Sequence, residues 1–108
     1  MSVADDLGLF WQHQTDVRTY EGHGPFGEKH ADPVTVPCFI EGKRQLVRDQ
    51  NGREVTSEAT IYGPITHGHR FTPESTATID GQERTILTIA NHYSGALDLP
   101  DHFEATTT

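Results

Sequence analysis

An Asp-Gly pair, Asp80-Gly81, stands between two β-branched runs, STATI before it and QERTILTIA after it. A type I′ turn needs positive φ at both central positions, and Asp followed by Gly tolerates that best, so the pair predicts a tight hairpin. It places antiparallel strands over residues 75–80 and 82–90. The run Ile86-Leu87-Thr88-Ile89 is apolar on both faces. That suits either a strand buried within a barrel or one with its second face at a subunit contact.

The rest of the chain has no helical period and repeats the same grammar of short β-rich runs between Gly- and Pro-rich joints. DVRTY alternates over residues 16–20. VTVPCFI, residues 34–40, is a second run, and Pro37 limits it to an edge, a bulge or a strand junction. VTSEATIY, residues 55–62, ends at Gly63-Pro64, and HFEATT closes the chain over residues 102–107. EGHGPFGEKHADP, ITHGHRFTPES and NHYSGALDLPD read as loops. About six short strands predict an all-β chain, a small antiparallel β-barrel with a long hairpin loop and extended termini. At 108 residues it is one domain, a barrel over residues 16–108 preceded by an N-terminal arm over residues 1–15.

Residues 38–64 carry the main charge anomaly. Four of the eight Lys and Arg, namely Lys43, Arg44, Arg48 and Arg53, fall in a polar loop over residues 42–54 with an Asn51-Gly52 turn, while the formal net charge is −8. This is a cationic finger on an acidic body, diluted by Glu41, Asp49 and Glu54. It would attract a polyphosphate locally. The same composition also suits a surface loop solvated by mixed charges. The acidic balance excludes a protein that wraps duplex DNA over its whole surface.

Hydrophobic content is 33%, with ten Gly and six Pro, which is little core for a solitary globule and favours assembly. Leu9, Phe10, Trp11, Phe26, Tyr93 and Leu97 are the residues expected at subunit contacts, Phe26 also being the one expected to pin the loop around it. The lone cysteine, Cys38, excludes an intrachain disulfide and a Cys-cluster zinc site, in keeping with synthesis in a reducing cytoplasm. No apolar stretch reaches about 18 residues, and the start MSVADDLG has no basic segment, so neither a membrane span nor a signal peptide is expected.

Among the seven histidines, His67-Gly68-His69 with Glu74 and then Gly81 resembles the first metal motif of the cupin barrels. That resemblance implies a metal-binding barrel using His67, His69 and Glu74, with His92 the nearest further histidine. A transition-metal site requires roughly three or four converging ligands with support behind them. Two histidines and one carboxylate fall short, so no metal or other cofactor is expected. Cys38, between Pro37 and Phe39, reads as a buried inert thiol. There is no Gly-x-Ser-x-Gly elbow, no phosphate-binding Gly loop and no paired acid and base. The expectation is a protein that is not an enzyme.

The order of features adds a second resemblance. An apolar start before a Thr/Val strand, then VTVPCFIE, a long polar loop, EATIYGP, ATIDG, RTILTIANHYSG and a last Asp-His-Phe-Glu-Ala strand together resemble the head–tail stopper, or head-closure, proteins of tailed phages. The likeness spans residues 9–106. It implies a non-catalytic β-barrel, made in the host cytoplasm and located in the virion. Copies form a homo-oligomeric ring, a hexamer or a dodecamer with the hexamer favoured, below the portal and adaptor rings and above tail-terminator or tail-tube proteins. The ring closes the channel on packaged DNA and presents the surface for tail attachment. Carried onto this chain, the loop at 42–54 faces the channel, and Lys43, Arg44, Arg48 and Arg53 face DNA without reading its sequence.

Overall fold

The structure, a computed structural model, describes residues 12–93 and 101–108. Six strands close a barrel: β1 (His13–Arg18), β4 (Val34–Arg48), β5 (Glu54–Pro64), β8 (His102–Thr107), β7 (Gln82–His92) and β6 (Thr76–Ile79) follow one another around it, and β6 pairs back onto β1. Every pairing is antiparallel. The two remaining strands, β2 (Tyr20–Gly24) and β3 (Gly27–His30), form a separate hairpin. The predicted all-β barrel is the observed architecture.

Alternation along each strand sets the interior. Val17, Val36, Cys38, Ala59, Ile61, Ala77, Ile79, Phe103 and Ala105 point inward and are buried. Asp80 and Gly81 take φ of 51° and 76°, so the turn between β6 and β7 has the two positive φ values that the sequence required. In β7 the register slips between Ile86 and Thr88, which leaves Leu87 as the extra residue of a bulge. That slip changes the phase of the strand, so Ile86 is buried and Ile89 also packs against the core although the two are three apart. The bulge accounts for a run that sequence alone read as apolar on both faces.

One end of the barrel is capped by a 3-10 turn, Ile65–Arg70, where the sequence had suggested only loop. It delivers Phe71 to the core, where its ring stacks on Phe103 with centroids 4.4 Å apart. Gly63 and Gly68 make that stack possible. A Cβ on Gly63 would lie 2.3 Å from the Phe103 ring, and one on Gly68 would lie 2.8 Å from Asn91 Oδ1.

Three expectations change. The segment EGHGPFGEKHADP is largely the β2–β3 hairpin rather than a loop, since Gly22 and Gly27 supply φ of 100° and 107° that other residues resist. Phe26, at its tip, is fully exposed and pins nothing within the chain. The expected loop over residues 42–54 is mostly strand: β4 and β5 stay paired out to Arg48 and Glu54, and only residues 49–53 form the tip. Polar side chains misled the reading here, because a ribbon beyond the barrel has no core to fill. Pro37 lies where β4 is paired with β1 alone, before its pairing with β5 begins at Phe39, which fits the edge placement among the three expected for it.

Candidate nucleic-acid interface

The cationic finger is a two-stranded ribbon formed where β4 and β5 outrun their barrel neighbours. Gly42 pairs with Ala59 and Gln45 with Ser57, so Lys43 and Arg44 together oppose Glu58 in a bulge at the ribbon's base. Beyond it the two faces differ. Gln45, Val47, Val55 and Ser57 are half-buried or buried, whereas Arg44, Leu46, Arg48, Glu54, Thr56 and Glu58 are exposed. The first set is turned to the body. Gln50 in the tip donates through Nε2 to Glu74 Oε1 at 3.1 Å, so the ribbon curls back onto the turn ahead of β6 instead of standing free.

The tip is built around one carboxylate. Asp49 accepts from the backbone N–H groups of Asn51 and Arg53 at 2.9 and 3.0 Å, and Gly52 takes φ of 78°. Arg48 Nη1 donates to the Gly52 carbonyl at 3.0 Å. Such side-chain-to-backbone bonds fix a turn locally, without help from a core.

The four predicted cations share the ribbon but not one electrostatic state. Arg44 pairs with Glu58 at 3.2 Å and Arg48 with Glu54 at 3.7 Å. Among the described residues no ion pair holds Lys43 or Arg53. Exposed pairs of this kind contribute only about 0–1 kcal/mol and are easily exchanged. The ribbon can therefore offer phosphate two unengaged cations and two that must first loosen a carboxylate.

The histidine motif does not assemble. His67 and His69 lie on the 3-10 turn, where residues two apart point in different directions. Burial, then Arg70 and His69, push the His67 imidazole below its ordinary pKa, and Nδ1 accepts from Arg70 Nε at 3.4 Å. Glu74 is committed to Gln50, its backbone carbonyl meets His30 Nε2 at 3.0 Å, and its φ is 76°. Among the described residues no group of three His, Cys, Asp or Glu could hold a metal ion.

Cys38 sits in the barrel wall with no exposure, and burial pushes its thiol up to about 12. The expected result is that a disulfide exchange reagent at pH 8 leaves Cys38 unlabelled in the native protein and titrates one thiol after denaturation. Rapid native labelling would show that the wall opens at β4. Tyr93 is exposed. Leu9, Phe10, Trp11 and Leu97 lie outside the described residues.

Sequence reasoning missed a row of rings on the barrel's outer face. His13 on β1, Phe39 on β4, Tyr62 on β5, His102 on β8 and His92 on β7 follow one another across five adjacent strands, with centroid separations of 5.3, 6.4, 6.2 and 4.9 Å. His92 Nε2 lies 3.0 Å from Glu104 Oε2. Burial, the Glu104 and Glu41 carboxylates, and a hydrogen bond to Glu104 raise the Tyr62 pKa, so its phenol remains a proton donor. The signal was present in the parity of Phe39 and Tyr62, which alternate with the inward residues Cys38 and Ile61. Three of the five rings are histidines, of which only His92 had been considered, as a further candidate ligand.

Set against protein-family models, the chain matches none, and none of the curated proteins matches it. Among the described residues no helix is long and apolar enough to cross a membrane.

Proposed function

We propose that this chain is a structural protein of the tailed-phage neck, a head–tail stopper that works as a ring and takes no part in catalysis. The observation that carries the reading is the cationic ribbon borne by a small acidic barrel. Half of all Lys and Arg are concentrated on it. One copy of such a ribbon binds phosphate weakly. Several copies around a pore sum their fields, so the lumen becomes positive while the outer surfaces stay negative. Contacts to phosphate oxygens carry no base information, which suits DNA that arrives in any sequence.

The scaffold is in keeping with this role. The buried apolar set among the described residues includes only two aromatic rings, Phe71 and Phe103, so contacts in a ring would add area that the fold by itself lacks. In this reading the ring lies between the portal and adaptor above and the tail proteins below. The ribbon borders the channel, and Lys43 and Arg53 are the first cations DNA meets.

The test is imaging of phage particles encoded alongside this chain. Averaged density at the head–tail junction should accommodate a ring of these barrels with residues 42–54 at the central opening. Particles whose necks contain no such barrel, or a ring with the ribbon on its outer rim, would end the proposal.

A further inference from the structure

The ribbon has one face turned to its own body and another facing solvent. The solvent face presents Leu46, 72% exposed, between Arg44 and Arg48. A phosphate backbone has no use for a leucine, so the DNA reading leaves this residue unexplained. On the barrel wall Phe39, 37% exposed, and Tyr62 form the middle of the ring row and stand beside Glu41 and Glu104. This second patch is apolar with carboxylates at its margin, the complement of an Arg-Leu-Arg strip.

We propose that the Arg44-Leu46-Arg48 face of one copy docks on the Phe39–Tyr62 face of a second copy, with Glu41 and Glu104 of that copy receiving the two guanidinium groups. The inference rests on the multi-copy reading and supplies the contact that reading leaves unspecified. Two copies of a chain with formal charge −8 repel each other in most orientations. An approach that brings the one cation-rich element against carboxylates reverses the sign locally. Arg44 engages Glu58 through Nε alone, so its other N–H groups remain for a partner's carboxylate. An arginine over Phe39 or Tyr62 also gains from the ring face. The contact needs neither Lys43 nor Arg53, and the same ribbon can keep those two for phosphate.

Plug and socket are different patches, so the contact is head-to-tail: each copy gives one plug and accepts one, and the series closes into a ring when the rotation permits. It also completes the ribbon energetically. A two-stranded sheet is marginal by itself and gains when both of its faces are covered.

The experiment is sedimentation velocity on the purified full chain and two variants, Leu46→Asp in the plug and Phe39→Ser/Glu41→Lys in the socket. Wild type should self-associate with concentration, by about tenfold more weakly at 500 mM than at 50 mM salt. Each variant alone should be monomeric. An equimolar mixture should form a one-to-one heterodimer and nothing larger, because only one intact plug and one intact socket remain.

A wild type that stays monomeric up to ~1 mM at low salt overturns the contact, as does a mixture without heterodimer when wild type associates. Leu46 is on an exposed face, so Leu46→Asp should melt like wild type. If it associates as strongly as wild type, the contact is overturned whatever the socket variant does. These outcomes are separate from the neck assignment: a ring at the neck with the ribbon remote from the neighbour's Phe39 removes only the contact, whereas particles without the protein remove the ring.

Discussion

Phe103→Ala is expected to lower the melting temperature by roughly 15–30 °C, on the scale of a 3–5 kcal/mol loss for a buried phenylalanine in a domain of this size. Phe103 has no exposure and stacks on Phe71. Its ring also fills the space over Gly63, and glycine cannot grow into the hole left behind. A small core has few other groups that could relax into it, so the cavity stays open and the cost approaches the upper end. Gly63→Ala should be destabilising too, since its Cβ would meet the ring at 2.3–2.6 Å and the stack on Phe71 prevents the ring from swinging away. The double variant supplies the check. With the ring gone the added methyl no longer collides, so Gly63→Ala/Phe103→Ala should melt above the sum of the two single losses, a coupling readable by thermal scans of the four proteins. Strict additivity would mean that Gly63 and Phe103 do not share the space described.

Those two residues also mark where sequence was sufficient and where it was not. Asp80-Gly81 fixed a turn from two residues, because it depends on local backbone geometry alone. Phe71 and Gly63 became legible only when a 3-10 turn carried the phenylalanine across the barrel's end, a contact with no local signature. The bulges were equally hidden. One extra residue at Leu87 turns an apparent two-faced strand into a one-faced strand, and the pair Lys43-Arg44 marks the ribbon's base, yet neither announces itself in composition. In the candidate site the cations were legible as a cluster. Their states were not, because Glu54 and Glu58 approach Arg48 and Arg44 only through cross-strand register. The ring row on the outer face is the same lesson in reverse: five residues from five strands that only cross-strand pairing brings into line.

Register also decides which charges matter for DNA. Replacing Lys43, Arg44, Arg48 and Arg53 together by Gln should leave the barrel folded, since all four lie on the ribbon outside the core, while filled heads lose DNA on osmotic or thermal challenge. If Arg44 and Arg48 spend their charge on Glu58 and Glu54, the four positions are unequal. In heads whose neck ring is still assembled, Lys43→Gln/Arg53→Gln should by itself produce most of the leakage, and Arg44→Gln/Arg48→Gln little of it. The second pair should instead weaken association between copies, because those guanidinium groups belong to the plug. Counterion release gives an independent readout: binding of the assembled protein to duplex DNA should depend on salt with a slope that falls by about 0.9 for each phosphate contact removed per copy, and mainly in the first pair. Equal leakage from both pairs would show that the exposed ion pairs do not persist in the ring. Heads that retain DNA as well as wild type after all four substitutions would show that the ribbon does not touch the genome, and Arg44 and Arg48 would then serve copy-to-copy contact alone.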